Sequence, residues 1–87
     1  MENKKFLKKF VGVYDKSFFY NLRSLLIMCL DENEHVSINR IQQEIGCGFN
    51  AGMKLKNILI DLHYINEKGY VIISKKEINE IGYWYGK

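Results

Sequence analysis

The sequence lacks the features that mark a membrane-spanning or secreted protein. Its longest uninterrupted apolar run, Leu25 to Leu30, is six residues, whereas a helix that crosses a bilayer needs about twenty. The N-terminus is basic but has neither the apolar stretch nor the small-residue cleavage site of a secretory signal. We therefore expect a cytoplasmic protein that makes no membrane contact.

Cysteine and histidine are also scarce. The chain has two cysteines, Cys29 and Cys47, and two histidines, His35 and His63. No CxxC pair occurs and neither cysteine adjoins a histidine, so structural or incidental cysteines in a reducing compartment are favoured over a zinc site or a disulfide. The carboxylates show no repeated spacing that would bring catalytic groups together. The sequence predicts no enzyme, no metal site and no cofactor.

Only two of the thirteen basic residues are arginines, Arg23 and Arg40. Arginine is the side chain that reads guanine with two hydrogen bonds, so recognition of nucleic acid would depend largely on lysine charges, amides and shape. A net charge of +3 permits such binding without requiring it. With 87 residues, of which 47% are hydrophobic and 26% charged, the chain suits one globular domain.

Residues 36–65 have the pattern of two short helices joined by a glycine-containing turn. Ser37 can cap the first helix, and isoleucines recur after it at helical spacing (Ile38, Ile41, Ile45). Gly46 can take the left-handed conformation that ends a helix. The second helix carries an apolar stripe (Ala51, Leu55, Ile58, Leu59, Leu62) and, on another face, a polar stripe (Asn50, Lys54, Asn57, Asp61). This pattern predicts a helix-turn-helix whose second helix faces a partner.

This segment resembles the gamma domain of the FtsK-type DNA translocases, a winged-helix module that recognises short DNA sequences. About a third of the chain is covered, and the matching residues are Ser37, Ile41, Gln42, Gly48, Phe49 in place of tyrosine, Asn50, Lys54 in place of arginine, Leu55, Leu59, Tyr64 and Ile65. The resemblance implies a winged-helix fold and DNA binding. The arginine that follows the asparagine in the family is Ala51 here, so the family's target sequence is not carried over. No phosphate-binding GxxxxGK[ST] loop of a motor occurs.

The flanking segments complete the predicted fold. The lysine-rich residues 1–9 suit a short amphipathic helix, a phosphate-binding arm or a frayed tail, and Phe10 to Tyr14 is expected to be extended. Asp15 is the expected N-cap of a core helix. Residues 64–73 predict a β-hairpin, the wing, and Ser74 with Glu77 predicts a capping box that starts a last helix. Three aromatics near the C-terminus either fold back on the core or pack on a second copy.

These patterns together predict a mainly α fold with a small β-hairpin, a winged helix-turn-helix with an added C-terminal helix. The divisions are residues 1–9, a winged-helix domain over 10–73, and a helix with an aromatic tail over 74–87. Base contacts are expected from Asn50, Lys54 and Asn57, and DNA backbone contacts are expected from Arg40, Lys56 and Lys68.

The predicted function is sequence-specific binding of double-stranded DNA by a homodimer that regulates transcription or replication in a phage, plasmid or other mobile element. The alternative is a protein-interaction module that binds or inhibits a host protein. The absence of the family's arginine at Ala51, the low arginine count and the aromatic tail favour that alternative. RNA binding is a third possibility, although the aromatics do not alternate as a stacking platform requires.

Overall fold

A computed structural model describes residues 2–14 and 17–85 of the chain. The helices in these residues are α1 (Glu2–Tyr14), α2 (Phe18–Glu32), α3 (Ile38–Ile45), α4 (Phe49–Asp61) and α5 (Lys75–Asn79). Each of them contributes to one hydrophobic core. Its most completely buried side chains are Phe18, Leu7, Leu22, Leu25, Leu26, Ile41, Leu55, Leu59, Ile65, Ile78, Ile81 and Val36.

Helix α2 lies at the centre of this core and packs against α1, α3 and α5. Its apolar residues follow one another so closely that more than one side of the helix is buried, as the sequence predicted. Phe18 stacks on Phe10 of α1 with ring centroids 5.1 Å apart. The expected N-cap, Asp15, lies outside the described residues. The helix ends at Asn33, whose left-handed conformation (φ 53°) lets its N–H reach a carbonyl of the last turn.

Helix α1 extends further than the sequence suggested. The prediction that Phe10 to Tyr14 is extended is wrong, because these residues continue the helix that begins at Glu2. Burial explains the difference: Leu7, Phe10 and Val11 lie at spacings of three and four and are all buried against the core. The lysines of this segment occupy the remaining surface, and the helix runs through the division expected at residue 9.

The predicted β-hairpin wing is not formed, so the winged-helix assignment is wrong. Within residues 2–14 and 17–85 there is no strand, and the segment expected to form the wing contains a single isolated bridge between Ile65 and Val71. The Asn66 side chain accepts from the N–H groups of Lys68 and Tyr70 at 3.0 Å, which fixes a tight turn. The Gly69 carbonyl then accepts from the Val36 N–H at 2.8 Å. The bond to Val36 holds the turn against the loop before α3. The prediction of a mainly α fold is confirmed.

The C-terminal segment returns to α2. The predicted capping box is confirmed: the Glu77 N–H donates to the Ser74 hydroxyl at 3.2 Å, and the Ser74 N–H donates to the Glu77 carboxylate at 3.3 Å. After α5, Trp84 packs edge-on against Phe19 with centroids 5.2 Å apart, whereas Tyr83 is 69% exposed. None of the helices described is long and apolar enough to cross a membrane.

Candidate nucleic-acid interface

Local hydrogen bonds fix where α3 begins and ends, and α4 follows it after a short turn. The Ser37 hydroxyl accepts from the Arg40 N–H at 3.1 Å and caps α3, as predicted. Gly46 ends the helix with φ 78° and donates its N–H to the Gln42 carbonyl, also as predicted. Gly48 precedes α4 without a side-chain cap. The two helices are therefore joined by only three residues.

The packing of α3 against α4 depends on a close approach at Gly52. A Cβ placed there would lie 3.3 Å from Cγ2 of Ile38 and 3.5 Å from Cγ of Gln42, so a glycine keeps the helices in contact. Below this point Ile41 of α3 and Leu55 of α4 are completely buried. One face of α4 is thus buried in the core, which determines the face that the helix presents outward.

The outward face of α4 is a continuous exposed stripe. It consists of Asn50, Met53, Lys54, Asn57 and Asp61, which recur at helical spacing and are all exposed. In the described part of the chain, no hydrogen bond or ion pair engages the side chains of Asn50, Lys54 or Asn57. The three base-contact candidates predicted from the sequence therefore lie together, with donors and acceptors available to a partner. We call these five residues the α4 stripe.

The three predicted backbone contacts are not brought together in the same way. The guanidinium of Arg40 pairs with Glu34, with Nη1 2.6 Å from Oε2, and lies 3.8 Å from Glu32. Its charge is already largely compensated within the protein. Lys56 is half-buried on another side of α4 from Asn50, and Lys68 is exposed in the turn after residue 66. Of these three cations, Lys56 and Lys68 make no ion pair with any described residue.

Sequence reasoning missed two members of this surface, Phe49 and Met53. Phe49 is the first residue of α4 and is 57% exposed, and Met53, one turn later, is 41% exposed. A signal was present, because Met53 falls three residues after Asn50 and four before Asn57, which is the spacing of one helix face. Apolar side chains are usually buried, but Phe49 and Met53 lie outside the face of α4 that packs against the core.

The two thiols offer no activated nucleophile beside this surface. Burial raises the pKa of the Cys29 thiol above its ordinary value of 9.0, and it also raises the pKa of Cys47 in the turn between α3 and α4. Both cysteines are free. Because a raised pKa keeps a thiol protonated near neutral pH, neither side chain is suited to attack a substrate.

Comparison of the chain with protein-family models, with curated proteins and with solved structures gives no significant match. The resemblance to the translocase gamma domain therefore depends on the shared residues of the central segment alone.

Proposed function

We propose that this protein binds double-stranded DNA through α3 and α4, with α4 lying in the major groove. The observation that carries this proposal is the α4 stripe, where two amides and an ammonium group are exposed on one face and make no hydrogen bond or ion pair with any residue that the structure describes. An α-helix with its side chains is about 10–12 Å wide, which matches the width of the major groove at about 12 Å. The preceding helix α3 then lies across the DNA backbone.

The two amides and the ammonium group of the stripe each have a role set by their chemistry. Asn50 and Asn57 offer a donor and an acceptor on one amide, the combination that recognises N6 and N7 of adenine. Lys54 donates to a guanine edge or a phosphate, and Lys56 and Lys68 contribute phosphate contacts. Arg40 is not included among these contacts, because its guanidinium is already paired with Glu34.

The proposal is tested by measuring binding to a pool of random duplexes by gel shift at two salt concentrations, followed by selection of the bound sequences. A DNA-binding protein shifts the pool, and its affinity falls as salt rises because phosphate contacts release counterions. On the selected site, Asn50→Ala is expected to lose roughly 5- to 150-fold, the range for one bidentate base contact. The matched control Asn79→Ala, at an exposed position on α5, should bind as the wild type does.

The exposed Phe49 and Met53 favour the second candidate, a surface that binds another protein. The two candidates give opposite results in the same assay. If no duplex shifts at either salt concentration, DNA binding is refuted, and protein docking is then the candidate function of the α4 stripe. If Asn50→Ala weakens random and selected duplexes equally, the amide does not read bases.

A DNA-binding domain of this size gains affinity when two copies engage two half-sites. We therefore include a homodimer in the proposal, acting in the cytoplasm as a regulator of transcription or replication of a mobile element. Sedimentation of the protein with and without the selected duplex tests the stoichiometry. A complex with one copy per duplex would refute the dimer and leave the DNA contacts in place.

A further inference from the structure

The α4 stripe contains an apolar side chain between its two amides. Met53 is 41% exposed although it lies on the same face as Asn50 and Asn57. Phe49, one turn earlier and 57% exposed, extends this apolar edge toward the start of α4. The helix therefore presents amide groups and apolar groups side by side, at positions that the core leaves uncovered.

Adenine and thymine present the matching pair of groups in the major groove. Adenine offers N6 and N7 to an amide, and its partner thymine carries a 5-methyl group that makes apolar contacts. A thioether is flexible and polarisable, so it adapts well to a methyl group at its surface. Cytosine and guanine have no such methyl group, and they would leave Met53 facing polar base edges.

Given the proposed DNA binding, on which this step depends, we propose that Met53 is a specificity-determining residue that contacts the 5-methyl group of a thymine, beside an adenine held by Asn50 or Asn57. The target class is then a duplex site containing A·T pairs read from the major groove. Met53 is exposed to water in the free protein. When the complex forms, the thioether and the methyl group leave water together, which stabilises the complex.

The test uses the duplex selected by the full-length chain and replaces its thymines one at a time by deoxyuridine. This change removes the 5-methyl group and keeps every hydrogen-bonding atom of the base. Affinity is measured by fluorescence anisotropy. At one or two positions the wild type should lose about fourfold, the fold-change that corresponds to about 0.8 kcal/mol for one buried methyl-sized group.

The Met53→Ala variant identifies the side chain responsible. It should bind the thymine duplex more weakly than the wild type and should be insensitive to deoxyuridine at the position that the wild type reads, so that the two changes are not additive. The control Ile72→Ala removes a 53% exposed apolar side chain outside α4 and should keep the wild-type sensitivity.

Three results would overturn the inference. They are a selected site without A·T pairs, a wild type that does not respond to deoxyuridine at any position, and a Met53→Ala variant that responds as the wild type does. All three leave DNA binding itself in place. If the chain binds no duplex at all, the proposed function fails as well, which the gel shift reports separately.

Discussion

The substitution Gly82→Ala is expected to destabilise the protein strongly, because Gly82 lies where the C-terminal segment crosses α2. Its φ is +96°, a backbone conformation that L side chains rarely adopt. A Cβ at this position would lie 3.0 Å from Cγ of Phe19 and 3.1 Å from Nη1 of Arg23. The same Arg23 nitrogen donates to the Ile81 carbonyl at 2.6 Å, so it has little freedom to withdraw.

The magnitude follows from two costs. A side chain in the left-handed region costs about 1–2 kcal/mol, and overpacking against a buried ring costs about 1–3 kcal/mol. Together they lower the free energy of unfolding by about 2–5 kcal/mol, out of the roughly 4–13 kcal/mol expected for 87 residues. With a urea dependence of about 1.5 kcal/mol per molar, the midpoint should fall by about 1.3–3.3 M.

Urea denaturation followed by circular dichroism and by the fluorescence of Trp84 measures this change. Trp84 is the single tryptophan and contacts Phe19, so its emission reports whether the tail is docked. Gly12→Ala is the matched control: nothing lies within 4 Å of a Cβ there, and alanine favours the helix. A Gly82→Ala midpoint equal to that of the wild type would refute the docking of this segment on Phe19.

Three further predictions concern the caps, an ion pair and a thiol. Ser74→Ala should lower the free energy of unfolding by about 1 kcal/mol in urea denaturation, because the capping box with Glu77 is lost; no change would show that α5 does not depend on its cap. Arg40→Gln should lower the free energy of unfolding by at most about 1 kcal/mol, and the difference from the wild type should shrink at high salt, because the pair with Glu34 is partly exposed. The same variant should leave the salt dependence of DNA binding unchanged. A flatter salt dependence would assign Arg40 a phosphate contact. Burial raises the pKa of the Cys29 thiol, so the folded state favours the protonated thiol. The contribution of this thiol to the free energy of unfolding is therefore fully present below its ordinary pKa of 9.0 and is lost as the pH rises above that value. Denaturation between about pH 8 and 10 should show a shallower decline for Cys29→Ala, and parallel declines would contradict the raised pKa.

The features that were predictable from the sequence are those set by groups a few residues apart. The Ser37 hydroxyl caps α3 by accepting from the N–H of Arg40, three residues later, and Gly46 ends the same helix by donating its N–H to the Gln42 carbonyl. The Ser74 capping box likewise spans four residues. These bonds form wherever the rest of the chain goes, so residue type and spacing were enough to place the starts of α3 and α5 and the end of α3.

The hairpin prediction failed for the opposite reason. Residues 64–73 have β-favouring side chains on both sides of a turn, and that pattern is sufficient for a hairpin only if backbone pairing continues along both arms. Here only two backbone hydrogen bonds between described residues join the two arms, from the Asn66 N–H to the Tyr70 carbonyl and from the Ile72 N–H to the Tyr64 carbonyl, and α5 begins at Lys75 before the pairing can continue. The Gly69 carbonyl, at the turn itself, accepts from the N–H of Val36, which lies 33 residues earlier. A hydrogen bond to a distant loop is not encoded in local spacing, so the sequence could not indicate it.

In the candidate site, too, some features follow from local spacing and others depend on tertiary packing. The sequence alone determined that Asn50, Lys54 and Asn57 share one face of a helix, because helical spacing fixes their relative directions. The tertiary structure alone decided that this face remains uncovered, that Met53 is exposed with it, and that Arg40 is neutralised by Glu34. Whether a helical face meets solvent or protein depends on where distant segments pack, and that is settled only when the whole core is assembled.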